Sequence, residues 1–211
     1  PSATALVKGM KLRECIGNRP VLMCASTRNG EEARILDVLE QLDRNALLLL
    51  VPRHPQRFDD VAGMIRNRKI PMIRRSTLHD LSANALSPDT RILLGDSMGE
   101  MFMYYAACDI AFIGGSLEKL GGQNLIEACA VGKPVLIGPH TFNFEAITKD
   151  AIAAHAAIRI TSARELMQRA NELLSDQTLH QTMSDNARLF AEKQHGATER
   201  TLELLIPLIE K

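Results

Sequence analysis

The sequence has no excess of charge of either sign and few aromatic residues, and each absence excludes a class of protein. Its 25 basic residues balance 25 acidic ones, whereas a nucleic-acid scaffold carries a strong basic excess. Tryptophan is absent and aromatic residues make up 4% of the chain, which argues against a platform that stacks single-stranded bases. We therefore expect no nucleic-acid partner.

The cysteines and the hydrophobic runs exclude further classes. The chain has four cysteines and no C-x-x-C pair, so neither a zinc site nor a disulfide framework is expected, and a reducing compartment fits best. The purely aliphatic run Ala46–Val51, like the other apolar runs, is far shorter than the ~20 residues that span a bilayer. No secretory signal opens the chain. Because it begins at Pro1 without a methionine, we expect a soluble fragment of a longer protein.

Short apolar runs alternate with longer amphipathic stretches along most of the chain. The runs are almost continuously hydrophobic, as in strands whose sheet is covered by helices on both faces. They are Pro20–Ala25, Ala46–Val51, Pro71–Ile73, Arg91–Leu94, Ile110–Ile113, Pro134–Ile137 and Ala157–Ile160. Helical periodicity is found between them at Glu31–Asp43, Gln56–Asn67, Gly99–Ala107 and Leu125–Val131. This alternation predicts an α/β fold with a Rossmann-like parallel sheet and helices on both faces.

The two ends of the chain differ from this pattern. Residues 1–15 have a weak helical pattern and are interpreted as a connector, and residues 162–211 as C-terminal helices. The tail is expected to form three helices, the last two separated by Gly196 as a C-cap. At about 150 residues per domain, and without a low-complexity linker, residues 1–211 are expected to form a single domain.

Glycine, hydroxyl, amide and cationic residues accumulate directly after the predicted strands. Ligands of open α/β sheets bind beyond the carboxyl ends of the strands, so these residues define a candidate binding site. The segments that follow the strands include Pro52, Arg53, Met98, Gly99, Glu100, Gly114, Gly115, Ser116, Asn124, Leu125, Ile126 and Glu127.

Some of these residues suit the binding of a phosphorylated nucleoside. Arg53 could hold a phosphate, or it could simply lie on the surface of a loop. Glycine pairs let backbone approach a ligand closely, helix-start N–H groups favour phosphate, and Glu127 could hold ribose hydroxyls. The alternative is structural, since Ser97–Glu100 and Asn124–Glu127 are also helix-capping patterns. His54 and His140 are candidates either for acid–base chemistry or for structural hydrogen bonds.

Several nucleotide and metal motifs are absent. No G-x-G-x-x-G follows the first strand and no G-x-x-x-x-G-K-[ST] occurs, which disfavours the corresponding NAD and ATP folds. No D-x-D motif is found either. We expect neither a metal nor a cofactor.

Four stretches, taken together, resemble the C-terminal half of the Kdo transferase family. They are ASTRNGEE (25–32), ALLLLVPRHPQRFDDV (46–61), GDSMGEM (95–101) and FIGGSLEKLGGQNLIEACAVGKPVLIGPHTFNF (112–144). The family transfers 3-deoxy-D-manno-octulosonic acid (Kdo) from CMP-Kdo to the lipid A precursor, lipid IVA, in lipopolysaccharide biosynthesis of Gram-negative bacteria. Leu125-Ile126 departs from the Pro-Leu pair that is frequent in the family.

The resemblance implies one half of a GT-B glycosyltransferase, in which the C-terminal domain binds the nucleotide-sugar donor. It places Pro52-Arg53, 98–100 and 124–127 against CMP. Within that set we expect Arg53 at the phosphate, Glu127 at the ribose, the helix start at Asn124 near the phosphate and 98–100 at the cytidine.

The resemblance also implies what this chain lacks. The general base and the acceptor surface belong to an N-terminal domain, so the expected partners are that domain, CMP-Kdo and, through the missing domain, the lipid A precursor. The whole enzyme would work at the cytoplasmic face of the bacterial inner membrane. We expect this chain alone to bind CMP without turnover. The alternatives are a nucleotide-sugar epimerase of the same architecture and a non-catalytic nucleotide-binding module.

Overall fold

A seven-stranded parallel sheet forms the centre of the molecule. The computed structural model describes residues 2–78, 81 and 86–209, and side chains as far as residue 194. The strands are β1 (Val21–Thr27), β2 (Leu47–Pro52), β3 (Met72–Arg74), β4 (Ile92–Leu94), β5 (Ile110–Ile113), β6 (Val135–Ile137) and β7 (Ala157–Arg159). All seven predicted strands are confirmed. Their order across the sheet is β3-β4-β2-β1-β5-β6-β7.

Helices connect the strands and cover the sheet. They are α1 (Ala3–Ile16), α2 (Glu31–Asp37), α3 (Phe58–Asn67), α4 (Met101–Ala107), α5 (Ile126–Ala130), α6 (Glu145–Ala153), α7 (Ala163–Ser175) and α8 (Gln177–Ile209). The predicted helix at 31–43 ends early and continues as a 3₁₀ turn at Leu39–Gln41. The predicted helix at 56–67 is confirmed, but its first turn is a separate 3₁₀ turn at Pro55–Arg57. The helix α6 was not predicted.

The sheet divides the hydrophobic core into two layers. Along β1, Val21 and Met23 contribute to one layer and Leu22 to the other, because successive side chains of a strand point to opposite faces. The first layer is covered by α1, α4, α5, α6 and part of α8, and the second by α2, α3, α7 and the start of α8. Every residue of β1 and β2 is buried, which explains why their sequences are continuously hydrophobic.

The C-terminal part of the chain contains two helices, not the three predicted. The helix α8 runs without a break from Gln177 to Ile209, so the prediction of a C-cap at Gly196 is wrong. A glycine inside a helix costs only about 1 kcal/mol relative to alanine, which is too little by itself to end a long helix. The preceding helix begins as predicted, because the Ser162 hydroxyl accepts a hydrogen bond from the Glu165 N–H at 3.2 Å.

The candidate residues lie at or after the carboxyl ends of β2, β4 and β5, beside the crevice that the connections around β1 and β5 create in such folds. These two strands are neighbours at the centre of the sheet, yet the chain leaves β1 toward α2 on one face and β5 toward α5 on the other. This is the topological switch point of the sheet, where ligands of such folds bind. We refer to the side of the sheet where the strands end as the carboxyl edge.

The N-terminal residues 3–16 form α1, which packs against α4. Their role as a connector stays a prediction.

Among the residues that the structure describes, no helix combines the length and hydrophobicity needed to cross a membrane.

Candidate functional site

Arg53 stands at the carboxyl edge on a backbone that is held in place. Pro52 is the buried last residue of β2, and Arg53 follows it with an exposed side chain. The Arg53 N–H donates to the Thr27 carbonyl oxygen at 2.9 Å, which ties the ends of β2 and β1 together. The backbone that carries the Arg53 guanidinium is therefore fixed beside the switch point.

The loop between β4 and α4 presents Met98 and Gly99 to the outside and holds Glu100 inside. The Met98 side chain is 67% exposed, and Gly99 has a φ of 74°, which L-residues with a side chain rarely adopt. The Glu100 carboxylate accepts a hydrogen bond from the Arg75 guanidinium at 3.0 Å and another from the Ser97 hydroxyl. The loop is thus shaped by an internal ion pair.

The prediction that Ser97 caps the helix α4 is wrong, because the Ser97 side chain has other partners. The helix α4 begins at Met101 and has no side-chain cap. The Ser97 hydroxyl bonds instead to the Glu100 carboxylate and to the Tyr104 hydroxyl. The Glu100 carboxylate accepts hydrogen bonds from Arg75 and from the Ser97 hydroxyl. The predicted capping box is therefore not formed.

Asp96 anchors the same loop to the end of β3. Its carboxylate, 1% exposed, accepts hydrogen bonds from the Arg74 guanidinium at 2.5 Å, the Ser76 N–H at 2.8 Å and the Ser76 hydroxyl at 2.6 Å. Burial raises the pKa of Asp96, but the bonds from Ser76 and the Arg74 charge together outweigh it and hold the pKa below its usual value. An ionised Asp96 is therefore part of the framework of the site.

Glu31, the first residue of α2, is fully buried at the switch point and accepts four backbone hydrogen bonds. Its Oε2 atom receives the N–H groups of Arg28 at 2.8 Å and Gly115 at 2.7 Å. Its Oε1 atom receives those of Ser116 at 3.0 Å and Leu117 at 2.9 Å. We call these four N–H groups the amide cradle. Two of the predicted site residues, Gly115 and Ser116, are thus fixed by a residue that sequence reasoning missed.

Gly114 and Ser116 have packing roles beside this cradle. A Cβ atom on Gly114 would lie 2.6 Å from the Ser26 carbonyl oxygen, so the residue must be glycine for the loop to pass β1. The Ser116 hydroxyl donates to the Ile113 carbonyl at 2.5 Å and accepts the Gly138 N–H at 2.8 Å. Together these contacts fix the floor of the crevice.

The segment 124–127 combines a local turn with a carboxylate at the start of α5. The helix has Leu125 as its N-cap and no side-chain cap, so the predicted capping pattern of Asn124–Glu127 is not formed. The Asn124 side-chain oxygen instead accepts the Ile126 N–H at 2.9 Å in a local turn, which leaves this N–H already occupied. Leu125 is fully buried in the core. Ile126 and Glu127 are half-buried, and the helix α5 begins at Ile126, one residue later than predicted.

Tyr105 shows that Arg53 and Glu127 lie in one neighbourhood. Its phenol is fully buried in α4, and burial raises its pKa above the usual range. The Glu127 carboxylate adds to this rise in pKa, while the Arg53 guanidinium opposes it. Both charges are therefore close enough to one phenol to act on it, although they are 74 positions apart in the sequence. The structure brings a cation and a carboxylate to the same part of the carboxyl edge.

The structure does not show the structural hydrogen bonds that were one prediction for the side chains of His54 and His140. Within the described part of the chain, neither the His54 nor the His140 ring hydrogen-bonds to another residue; the His140 contact, to the Ser116 carbonyl at 3.0 Å, comes from its backbone N–H. Their role in chemistry stays open. Among the described residues, no three His, Cys, Asp or Glu side chains come together in a way that could hold a metal ion.

Comparisons with known proteins show which family the chain is similar to. Residues 35–190 match the family model described as glycosyl transferases group 1. The chain is 46% identical over 193 residues to a 3-deoxy-D-manno-octulosonic acid transferase of Bordetella pertussis, covering 89% of this chain and 44% of that protein. It is 40% identical over 199 residues to the transferase of the same name from Haemophilus influenzae, covering 92% and 45%. The chain thus spans a little under half the length of these curated relatives.

A solved structure matches the chain over nearly its whole length. It is the C-terminal CMP-Kdo binding domain of WaaA from Acinetobacter baumannii, which superimposes with a TM-score of 0.81 at 29% identity. The match covers 90% of this chain and 98% of that domain. A single Rossmann-like domain of this kind is therefore known as a separate folded unit.

Proposed function

The chain belongs to the group 1 glycosyl transferases, and on this premise we propose that it is the donor-binding half of a Kdo transferase, with CMP-Kdo as its ligand. The resemblance to the C-terminal half of the Kdo transferases is confirmed by the relatives and by the matched domain. The observation that supports the proposal is that Arg53, the loop 98–100 and Glu127 follow the carboxyl ends of β2, β4 and β5, and that the charges of Arg53 and Glu127 both act on the pKa of the Tyr105 phenol. Two oppositely charged side chains there have the chemistry that a nucleoside phosphate needs.

Each proposed contact follows from the chemistry of the group concerned. The exposed guanidinium of Arg53 can form charge-assisted hydrogen bonds with a phosphate. The Glu127 carboxylate can accept hydrogen bonds from the two ribose hydroxyls. The protruding backbone at Met98 and Gly99 is suited to the cytosine edge, while Glu100 holds that loop. Because the Ile126 N–H is already bound by Asn124, we assign the phosphate mainly to Arg53.

The rest of the candidate set supports these contacts. Gly114, Gly115 and Ser116 are buried and support the site from below, and Pro52 and Leu125 fix the two segments that carry the charged side chains. The proposal includes neither a metal nor a cofactor, since Arg53 supplies the positive charge that the phosphate requires.

The whole enzyme requires a second domain. We propose that an N-terminal domain supplies the general base that takes the proton from the acceptor hydroxyl, and that it binds the lipid A precursor at the cytoplasmic face of the inner membrane of a Gram-negative bacterium. The 211-residue chain then binds CMP but transfers no Kdo alone. Transfer of Kdo by the purified chain without a second protein would contradict this division of labour.

Isothermal titration calorimetry with CMP, UDP and ATP tests the donor site. We expect binding selective for CMP that is lost in Glu127→Ala, and about 1.5–3 kcal/mol weaker in Arg53→Ala because a hydrogen bond to a charged group is removed. Arg164→Ala and Glu40→Ala, exposed residues outside the site, serve as matched controls. A preference for UDP would favour an epimerase-like domain, and unchanged CMP affinity in both site variants would refute the proposed contacts.

A further inference from the structure

The buried carboxylate of Glu31 lies where open α/β sheets bind the anionic parts of their ligands. The amide cradle joins the loop after β1, through the Arg28 N–H, to the loop after β5, through the Gly115 N–H, at 2.8 and 2.7 Å from Oε2. Backbone N–H groups that converge in this way form anion sites, and they often hold phosphates at the switch point. In this chain the position is occupied by the protein's own carboxylate.

The occupation of the cradle is complete. Each Glu31 oxygen accepts two N–H groups, and an ionised carboxylate has about four lone-pair sites in all. The residue is 0% exposed, so water does not screen its charge as it would at the surface. A second anionic group that approached the cradle would therefore find no free donor and would meet a negative charge.

The cradle is next to the segments proposed to hold the donor phosphate. On one side, the Arg53 N–H donates at 2.9 Å to the Thr27 carbonyl, one residue before Arg28. On the other side, the Gly122 N–H donates at 2.7 Å to the Gly115 carbonyl, and Gly122 is two residues before Asn124. A phosphate bound by Arg53 would thus have the cradle, with its internal charge, as its neighbour.

We propose that Glu31 is a specificity-determining residue whose carboxylate takes the place of a second phosphate and limits the site to sugars activated by a nucleoside monophosphate. The inference rests on the proposed function, because it concerns the phosphate of the same donor. Specificity of this kind arises by rejection of the wrong ligand. Arg53 binds the one phosphate that is accepted, and Glu31 repels a further one.

Calorimetry with CMP and CDP on the 211-residue chain tests the rejection directly. We expect the wild type to bind CMP at least about tenfold more tightly than CDP, because juxtaposed like charges are strongly unfavourable. Glu31→Gln keeps the size of the side chain and removes its charge, so the CMP-to-CDP ratio is expected to fall at least threefold, mainly through tighter CDP binding. Equal affinity of the wild type for both nucleotides would overturn the proposal even if the variant does not fold, and so would an unchanged ratio in a folded Glu31→Gln.

Rescue by acetate tests the cradle independently of nucleotide binding. In Glu31→Ala the four N–H groups lose their acceptor, and acetate can replace the carboxylate. We expect acetate to raise the Tm of this variant by about 2–4 °C more than that of the wild type, as ligand binding to the native state does. The control is Glu165→Ala, which removes a half-buried carboxylate that accepts the Thr161 N–H at 2.8 Å.

The two measurements separate the possible failures. If acetate stabilises Glu31→Ala no more than the control, the cradle is not an anion position and the inference is wrong. If the wild type binds neither CMP nor CDP, the proposed function fails and the specificity role fails with it, while the acetate shift still shows whether the cradle binds an anion.

Discussion

The Arg75 guanidinium donates to the Glu100 carboxylate across 3.0 Å, and the two side chains are only 16% and 17% exposed. A second Arg75 nitrogen donates to the Leu78 carbonyl at 2.8 Å, so the arginine is itself fixed from the other side. Removing one partner of such a mostly buried pair leaves a charge without compensation. Arg75 therefore positions the loop that we place against the cytidine.

Replacing Arg75 by alanine is expected to weaken CMP binding about three- to tenfold and to lower the free energy of unfolding by about 1–3 kcal/mol. Arg75→Lys keeps the charge and should recover part of the affinity. Urea unfolding and calorimetry on the same samples measure both effects. Arg68→Ala, which breaks the ion pair of Arg68 with the exposed Asp37, is the control and should leave CMP affinity unchanged. A folded Arg75→Ala with wild-type affinity for CMP would show that the loop does not depend on this pair.

Asp96 makes stability depend on pH in a defined direction. Its pKa in the folded chain lies below the usual value of 3.8, so the folded state releases this proton more readily than the unfolded state. The stabilisation is present above that value and is lost as the pH falls below it. We expect Asp96→Asn to lower the free energy of unfolding by about 2–3 kcal/mol at neutral pH, because it breaks a buried hydrogen-bonded ion pair. Urea unfolding at a series of pH values measures the difference in the free energy of unfolding between the wild type and Asp96→Asn. This difference should be constant from pH 7 to 5 and smaller below about pH 4. A difference that grows on acidification would contradict the lowered pKa of Asp96.

Gly138 is expected to tolerate no side chain. A Cβ atom there would lie 2.3 Å from the Ser116 carbonyl oxygen and 2.7 Å from the Leu117 N atom, and both atoms belong to a backbone held by Glu31. Overpacking of this kind costs about 1–3 kcal/mol, so Gly138→Ala should lower the Tm. The contrasting variant is Gly63→Ala in α3, where a Cβ atom meets nothing within 4 Å; it should be stabilising by up to about 1 kcal/mol. Thermal unfolding gives the Tm of each variant for comparison with the wild type. Equal Tm values for Gly138→Ala and Gly63→Ala would refute the prediction that Gly138 tolerates no side chain.

The cysteines are expected to be unreactive in the native protein. All four are buried, and burial raises the pKa of the Cys108 and Cys129 thiols to about 12. Because the thiolate is the reactive form, a thiol reagent such as Ellman's should label almost none of them at neutral pH. After denaturation it should label all four. Rapid labelling of the native chain would indicate that the core opens locally.

The sheet and the edge that carries the candidate residues could be predicted from the sequence, because both depend on local patterns. A run such as Ala46–Val51 is hydrophobic on both faces only when helices cover both sides, and the residues that follow parallel strands necessarily meet at one edge. The bond from the Ile126 N–H to the Asn124 side chain is likewise local, although the helix α5 has no side-chain cap.

The role of Glu31 could not be predicted in this way, because its partners are distant in sequence. The Gly115, Ser116 and Leu117 amides are 84, 85 and 86 positions away from it, and a glutamate at the start of a helix is ordinarily explained by the helix itself. The continuity of α8 through Gly196 has a different cause, since glycine is a weak helix breaker whose effect is set by the neighbouring turns. For Glu31 the missing information was therefore a set of contacts beyond the local sequence.

The cradle around Glu31 also bears on how quickly a donor can bind. The loop after β5 is held by bonds from the chain's own groups, at Gly115, Ser116 and Leu117 to Glu31 and at Gly122 to Gly115. The conformational entropy of these residues is therefore lost on folding, so association with a ligand does not have to order them. Preorganisation of this kind predicts an association rate set by diffusion and orientation, without a slow closing step.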